Sequence, residues 1–230
     1  MNLAIVGDGR MAQAIAAEAH AAGDRVLAIL GVTENAAGTG ITAERLGGCD
    51  VVLEFTVPTA APANLRALRA IGATVVCGTT GWDAERTAVE ALWQGGPGAL
   101  LVASNFALGV QLFLRAARAL AEAAANRPEF DGFLHERHHV AKVDAPSGTG
   151  LLLQRTVREV DSARPWPIVS IRAGAIPGDH ELVLDSRFES ITLRHSARDR
   201  RVFAAGALAA SRWLIGRRGV FTLDAMLAGD

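Results

Sequence analysis

The chain has 230 residues, 50% hydrophobic and 20% charged, with a formal net charge of −1 at pH 7. That length supports a substantial buried core in one or two domains. The near-neutral balance excludes long-range attraction to nucleic acid or to an acidic membrane surface, so an anionic ligand has to be met by a local cluster.

In chain order, residues 3–6, 26–30, 51–55, 74–77 and 100–103 are short apolar or β-branched runs and read as strands. Residues 11–22, 63–71 and 84–93 lie between most of these runs with helical periodicity. Such alternation predicts right-handed βαβ units and a parallel sheet covered on both faces. Residues 107–125 read as a longer amphipathic helix that ends near Asn126 and Pro128. After that the rhythm changes. Residues 130–139 read as a strand and 150–160 as a helix, and three strand candidates follow at 168–172, 180–184 and 188–195 with no helix between them. This pattern predicts an open, partly antiparallel sheet. Residues 204–215 and 222–227 close the chain as helices.

No internal repeat, low-complexity tract or flexible linker interrupts this plan. Residues 1–106 are expected to form a nucleotide domain and 107–203 a smaller α+β domain, with the helices of 204–230 returning to the first. Cys49 and Cys77, the only two cysteines, lack zinc-type spacing and sit in or beside apolar runs, so they read as reduced core thiols. The first residues carry no signal-peptide pattern, and no apolar run is long enough to span a bilayer. The expected compartment is a reducing cytoplasm.

Gly7-Asp8-Gly9-Arg10-Met11-Ala12 follows the first strand, opens the first helix and matches G-x-G-x-x-A. One glycine permits the tight turn, the second lets the backbone approach a pyrophosphate, and the small third residue lets helix and strand pack closely. Glycine-rich turns also occur for packing alone. The position inside a βαβ unit favours a dinucleotide site, and with it a Rossmann-like, doubly wound parallel sheet. Glu34, about 20 residues beyond the turn, is the expected partner of the adenosine ribose; its bland alternative is a solvated loop carboxylate. Asn35 stands where an NADP site would more naturally carry an arginine, which tilts the choice toward NADH or dual use, although Arg10 can still meet a phosphate.

Gly78-Thr79-Thr80-Gly81 follows the fourth strand and Ala103-Ser104-Asn105-Phe106 the fifth. Both fall at the carboxyl ends of parallel strands, where open α/β sheets bind ligands. Their hydroxyls and amide suit the nicotinamide and its ribose. Asn105 is better placed for that contact than Thr80 or Ser104, either of which would otherwise cap the next helix. Glu54-Phe55-Thr56-Val57-Pro58 ends the third strand as a wall of the same groove.

The richest stretch runs from Glu136 to Gly150: Glu-Arg-His-His-Val-Ala-Lys-Val-Asp-Ala-Pro-Ser-Gly-Thr-Gly. It sets two imidazoles and an ammonium beside a Ser-Gly-Thr-Gly turn that opens an apolar helix. Such a helix start presents free N–H groups and the positive dipole end, which suits a carboxylate or phosphate. His138, His139 and Lys142 can hold a second anionic group and deliver a proton. Adjacent residues on a strand point to opposite faces, so only one imidazole faces a given atom unless the backbone turns there. No cysteine and no organised carboxylate set accompanies the histidine pair, so no metal is expected. Asp144 suits a turn or an imidazole contact. His20, His135, His180 and His195 carry no strong individual case, and the basic run Arg194, Arg198, Arg200, Arg201 reads as a solvated face.

These phrases, with Arg172-Ala173-Gly174, occur in an order that resembles the 4-hydroxy-tetrahydrodipicolinate reductase (dihydrodipicolinate reductase) family along nearly the whole chain. The stretch from His138 to Thr149 is the most specific part of the likeness. The resemblance implies a cytoplasmic enzyme of the diaminopimelate route to lysine that passes a hydride from NADH or NADPH to a cyclic dicarboxylate imine. It implies that His138 is the proton donor or acceptor and Lys142 the proton donor. His139, Lys142, Ser147, Gly148 and Thr149 would bind substrate. It also implies a homotetramer with the second domain's sheet at the interface. The chain departs from the family in three places. The glycine turn is shorter by one residue than the common G-x-x-G-R-M-G form, and Ala12 replaces its last glycine. Ala141 stands where some members have a further histidine. Little is inserted around residues 35–50. None of these removes a carried-over catalytic group. A related amino-acid or sugar dehydrogenase, or a non-catalytic dinucleotide sensor, would account for Gly7–Ala12 and Glu34 but would leave the stretch 138–149 unexplained.

Overall fold

The computed structural model describes residues 1–199 and 201–229, so Arg200 of the basic run and Asp230 lie outside the described residues. Two compact units are present: Met1–Ala107 with Arg201–Asp230, and Leu108–Arg200.

The first unit is built on a parallel sheet of β1 (Asn2–Val6), β2 (Arg25–Leu30), β3 (Val51–Glu54), β4 (Val75–Cys77), β5 (Ala99–Val102) and β10 (Gly219–Phe221), in the order β10-β5-β4-β3-β1-β2. α1 (Arg10–Ala21), α3 (Ala61–Ala70) and α4 (Asp83–Ala91) form the crossovers, and the short α2 (Ala43–Leu46) precedes β3. Strands β3, β4 and β5 are buried at every position, as their apolar runs require in a sheet covered on both faces, with Glu54 at the end of β3 the one charged residue among them. Leu65 and Leu68 of α3, Val89 of α4 and Trp93 in the turn after α4 pack on Val52, Val75 and Leu100 in one continuous core. α7 (Arg201–Leu214) packs against α1, and Gly206 approaches so closely that a Cβ there would meet the Phe106 carbonyl oxygen at 1.7 Å. The remaining helix, α8 (Leu223–Ala228), is capped by the Thr222 hydroxyl.

The sixth strand, β10, escaped sequence reading. It is three residues long and half-buried, too short for periodicity to register. It lies parallel to β5.

The second unit has a four-stranded mixed sheet ordered β7-β6-β8-β9: β6 (Asp131–His138), β7 (Ile168–Arg172), β8 (Asp179–Asp185) and β9 (Ser190–Ser196). β6 is parallel to β7 and antiparallel to β8, and β8 is antiparallel to β9. α5 (Leu108–Ala124) and α6 (Gly148–Arg158) pack on each other and cover one face, which carries Leu134, Leu182 and Leu184. Strand alternation sends the other residues to the opposite face. There Arg137 bridges Asp179 at 3.2 Å and Glu181 at 2.8 Å, and Arg194 bridges the same two at 2.8 and 3.3 Å. Arg194 therefore belongs to an ion-pair ladder and not to a plain solvated face. The fold class expected from the alternation of elements, a doubly wound parallel sheet beside a smaller unit with an open mixed sheet, is the one observed.

Candidate active site

In the first unit the chain turns sharply after β1. Gly7 has φ +118°, and a Cβ on it would sit 2.2 Å from the Phe55 carbonyl oxygen, so only glycine fits there. Gly9 caps α1 with no side chain, and a Cβ on it would meet nothing within 4 Å. The turn thus leaves the helix N-terminus open to an anion, with Asp8 and Arg10 exposed at its rim.

Beyond the turn, a cleft of about 300 Å³ lies at the carboxyl ends of the strands. Met11, Gly78, Thr79, Thr80, Ser104, Asn105 and Phe106 line it together with Phe55, Thr56 and Pro58, so the turns after β1, β3, β4 and β5 converge as expected. Phe203 of α7 completes the wall and was not foreseen, because nothing in its helix sets it apart from a core aromatic. Gly78 is needed here too: a Cβ would meet the Phe55 ring at 2.0 Å. Ala103 borders this region, its N–H bonded to the Cys77 carbonyl at 3.1 Å.

Three details revise the residue-level expectations. Thr79 is buried, and its hydroxyl donates to Glu54 at 2.7 Å while accepting from the Thr56 N–H at 2.7 Å; it shapes the cleft more than it offers a free hydroxyl. Asn105 closes a local turn before α5, its Oδ1 accepting from the Ala107 N–H at 2.8 Å. Asn35 is buried and spends its amide on Asn64 and on the Gly40 N–H, so it says nothing about a 2′-phosphate. Glu34 is exposed in the turn after β2, and its carboxylate and that of Asp8 both approach Gly31: a Cβ there would lie 3.1 Å from Glu34 and 2.5 Å from Asp8.

In the second unit the chemistry gathers on the helix-covered face. Glu136 and His138 are two apart on β6 and share that face; strand register sets His180 opposite Glu136 and Arg172 beside His138. Glu136 is 1% exposed and accepts from the Ser147 N–H at 2.9 Å, the Ser147 hydroxyl, the Ser170 hydroxyl at 2.9 Å and Arg172 Nη2 at 2.7 Å. Burial pushes its carboxyl upward, but these donors outweigh that and hold it at about 2. Gly150 is required by this packing, since a Cβ there would lie 2.5 Å from the carboxylate.

Ser147 caps α6 by accepting from the Gly150 N–H at 3.1 Å. The N–H groups with no intrahelical partner then belong to Gly148 and Thr149, at the mouth of the helix. β6 ends at His138, but Val140 N–H still bonds the Gly174 carbonyl at 3.1 Å before the chain turns, the turn being closed by Lys142 N–H to the His139 carbonyl at 3.1 Å. Lys142 Nζ pairs with Asp144 at 2.6 Å, so Asp144 meets the ammonium and not an imidazole. Burial pushes the His138 imidazole below its usual value; Glu136 opposes this, and Arg172 and Lys142 add to it.

Glu136 and His180 are members of this buried cluster that the sequence alone did not single out. Donor atoms of Glu136, His138 and His180 all lie within 4.8 Å of one another, a spacing compatible with a metal ion. Arg172 already supplies the cation for Glu136, however, and three further donors occupy that carboxylate, so a second cation would have to displace them. The available signal was strand alternation, which puts Glu136 beside His138, but the partner on β8 is fixed only by pairing register.

A doubly wound sheet with an open glycine turn and a cleft at its strand ends, in a chain that also carries buried imidazoles, an ammonium and a helix N-terminus, defines a dinucleotide-dependent oxidoreductase. Residues 1–106 match the N-terminal region of dihydrodipicolinate reductase and 109–227 its C-terminal region, and the chain belongs to that family. It is 42% identical over 193 residues to the 4-hydroxy-tetrahydrodipicolinate reductase of Gluconobacter oxydans, covering 76% of each chain. With the enzyme of the same name from Natronomonas pharaonis it shares 39% identity over 247 residues, covering 94% of this chain and 96% of that one. The dipicolinate-bound dihydrodipicolinate reductase from Paenisporosarcina sp. TG-14 has the same fold, with a TM-score of 0.80, 22% identity, and coverage of 96% of this chain and 97% of the other. The reaction is the NAD(P)H-dependent reduction carried out by 4-hydroxy-tetrahydrodipicolinate reductases, in diaminopimelate and lysine biosynthesis. Among the described residues no helix is long and apolar enough to cross a membrane.

Proposed function

We propose that His138 and Lys142 carry the proton chemistry of this reduction and that the second unit grips a cyclic dicarboxylate at both ends. The observation that carries this reading is the open start of α6 in the same loop as the buried His138 and Lys142, whose charge acts on that imidazole. The N–H groups of Gly148 and Thr149, fixed by the Ser147 cap, take one carboxylate. His139 and Lys142 take the other, with Lys142 exchanging Asp144 for the ligand. His138 or Lys142 supplies the proton that accompanies the hydride. The bound NADH or NADPH supplies that hydride.

Residues 1–106 hold the dinucleotide. Gly7, Asp8, Gly9, Arg10 and Met11 take its pyrophosphate, Glu34 its adenosine ribose, and Gly78, Thr79, Thr80 and Ala103 to Phe106 its nicotinamide end. Glu34 is one of two carboxylates at the ribose side, which favours the uncharged 2′-hydroxyl of NADH over a 2′-phosphate. The open face of the second sheet, with Val169 51% and Ile171 40% exposed beside the Arg137–Arg194 ladder, is the contact of a homotetramer. Two free thiols suit a cytoplasmic enzyme.

The defining assay offers the freshly made condensation product of aspartate semialdehyde and pyruvate with NADH and, separately, with NADPH. Substrate-dependent oxidation is expected, with the higher kcat/KM for NADH; no oxidation by folded, NADH-binding protein would sink the reading.

Gly7→Ala is expected to abolish measurable NADH binding and to lower stability by about 2 kcal/mol, because positive φ and the Phe55 carbonyl both oppose a Cβ. Fluorescence titration and thermal unfolding check this, and normal affinity would contradict it. Glu34→Ala should weaken NADH more than NADPH, and equal effects on both would remove the ribose contact.

Since His138 sits below the usual imidazole range when free, two arriving carboxylates raise it, and dicarboxylate binding between the free and bound values takes up a proton. Calorimetry of pyridine-2,6-dicarboxylate at about pH 7 in buffers of different ionisation enthalpy reads this directly. Binding with no proton uptake would place His138 away from the ligand.

A further inference from the structure

His180 takes no part in the chemistry above, yet it is 5% exposed and lies between two groups that do. Its Nε2 is 3.2 Å from the Ser147 hydroxyl. Its ring meets the His138 ring edge to face, with centroids 5.1 Å apart and planes at 72°.

The hydrogen bonds determine its tautomer. Glu136 is ionised and can only accept, so the single hydroxyl proton of Ser147 goes to Glu136. The Ser147 oxygen then accepts, once from the Gly150 N–H and once from His180. His180 is therefore the neutral Nε2–H form, which leaves Nδ1 bare. Among the described residues that buried nitrogen has no hydrogen-bond partner, so an Nδ1–H there would have no acceptor.

The charged and titratable groups around His180 agree. Glu136 and His138 face it from β6, His195 from β9, Asp179 is its neighbour on β8, and Arg172 on β7 is bound to Glu136. Burial first, then His138, depresses the His180 imidazole to about 4, with Glu136 opposing, so it is neutral at about pH 7.

We propose that His180 is a positioning residue with two separable attachments: its Nε2–H holds the Ser147 hydroxyl that caps the carboxylate-binding turn, and its ring seals and orients His138. One imidazole thereby ties substrate binding to proton transfer. This inference rests on the roles proposed above for the α6 turn and His138.

Two variants separate the attachments. His180→Phe keeps a ring but loses the donor. It should raise KM and weaken pyridine-2,6-dicarboxylate binding about tenfold, the worth of one buried hydrogen bond, with kcat and its pH profile little changed. His180→Gln keeps a donor at the Nε2 position but loses the ring. It should hold dicarboxylate affinity near wild type, lower kcat about tenfold and move the His138 limb of the pH profile upward as water reaches it. Equal losses of kcat and affinity in both variants would mark a merely structural residue, and wild-type behaviour in both would also overturn the proposal. Nitrogen NMR of the unmodified enzyme needs neither variant to fold: an Nδ1–H tautomer or an imidazolium at about pH 7 contradicts the hydrogen-bond chain. If the wild type fails to turn over, the functional reading falls, while dicarboxylate binding and the tautomer still score the Ser147 attachment.

Discussion

Glu136→Gln is expected to lower kcat/KM by about a hundredfold or more and to cost roughly 3 kcal/mol of stability, because it breaks a buried ion pair and a three-donor hydrogen-bond set together. The carboxylate accepts from Ser147, through both N–H and hydroxyl, from Ser170 and from Arg172. A carboxamide has one acceptor oxygen, and its NH2 would face donors. Arg172, with a side chain only 15% exposed, would lose its carboxylate partner. The cap of α6 would loosen with it, and so would the N–H groups that receive substrate.

The pH dependence carries a definite sign. The Glu136 carboxyl lies at about 2 in the folded chain against 4.5 as reference, so its contribution is present above pH 4.5 and is lost as pH falls toward 2. The full contribution is roughly 3 kcal/mol. Urea unfolding of both proteins should therefore show a gap at neutral pH that narrows below about pH 4.5. A gap that is absent at neutral pH, or constant down to acid, would remove Glu136 as the organiser of this site.

Much of this architecture was readable in the residues, and the failures have physical causes. The alternation of apolar runs and amphipathic segments specifies a parallel sheet because strands buried on both faces are built almost wholly from apolar residues, Glu54 at the end of β3 being buried only with hydrogen-bond partners. The glycine turn was readable because positive φ at Gly7 and open space at Gly9 are demands that few residues meet. The sequence 138–149 was readable because its groups are neighbours along the chain. Glu136 sits in the same stretch but resembles any strand carboxylate until Arg172 and Ser170 arrive from β7. His180 is further removed, because its partners come from β6 and the α6 turn. Side chains that act through local sequence are visible early. Those that act through strand register become visible only when the sheet is assembled.

The same contrast separates Glu136 from Lys142. Lys142→Ala is expected to leave the fold intact and still reduce kcat/KM by about three to four orders of magnitude, since general-acid catalysis alone contributes about 10²–10⁴. Its structural partner is Asp144, 56% exposed at the side chain, and an exposed ion pair of this kind contributes about 0–1 kcal/mol. Thermal unfolding should accordingly stay close to wild type. The catalytic loss has two parts, because the ammonium both pairs a substrate carboxylate and provides a proton. KM should rise about tenfold for the lost charge-assisted bond, and kcat should fall by the larger factor. Lys142→Arg separates them: guanidinium restores the carboxylate contact and KM, but its pKa above about 12 makes it a poor proton donor, so kcat stays low. If Lys142→Ala keeps a normal KM, the ammonium does not hold the substrate. If Lys142→Arg recovers kcat, the proton comes from His138 alone.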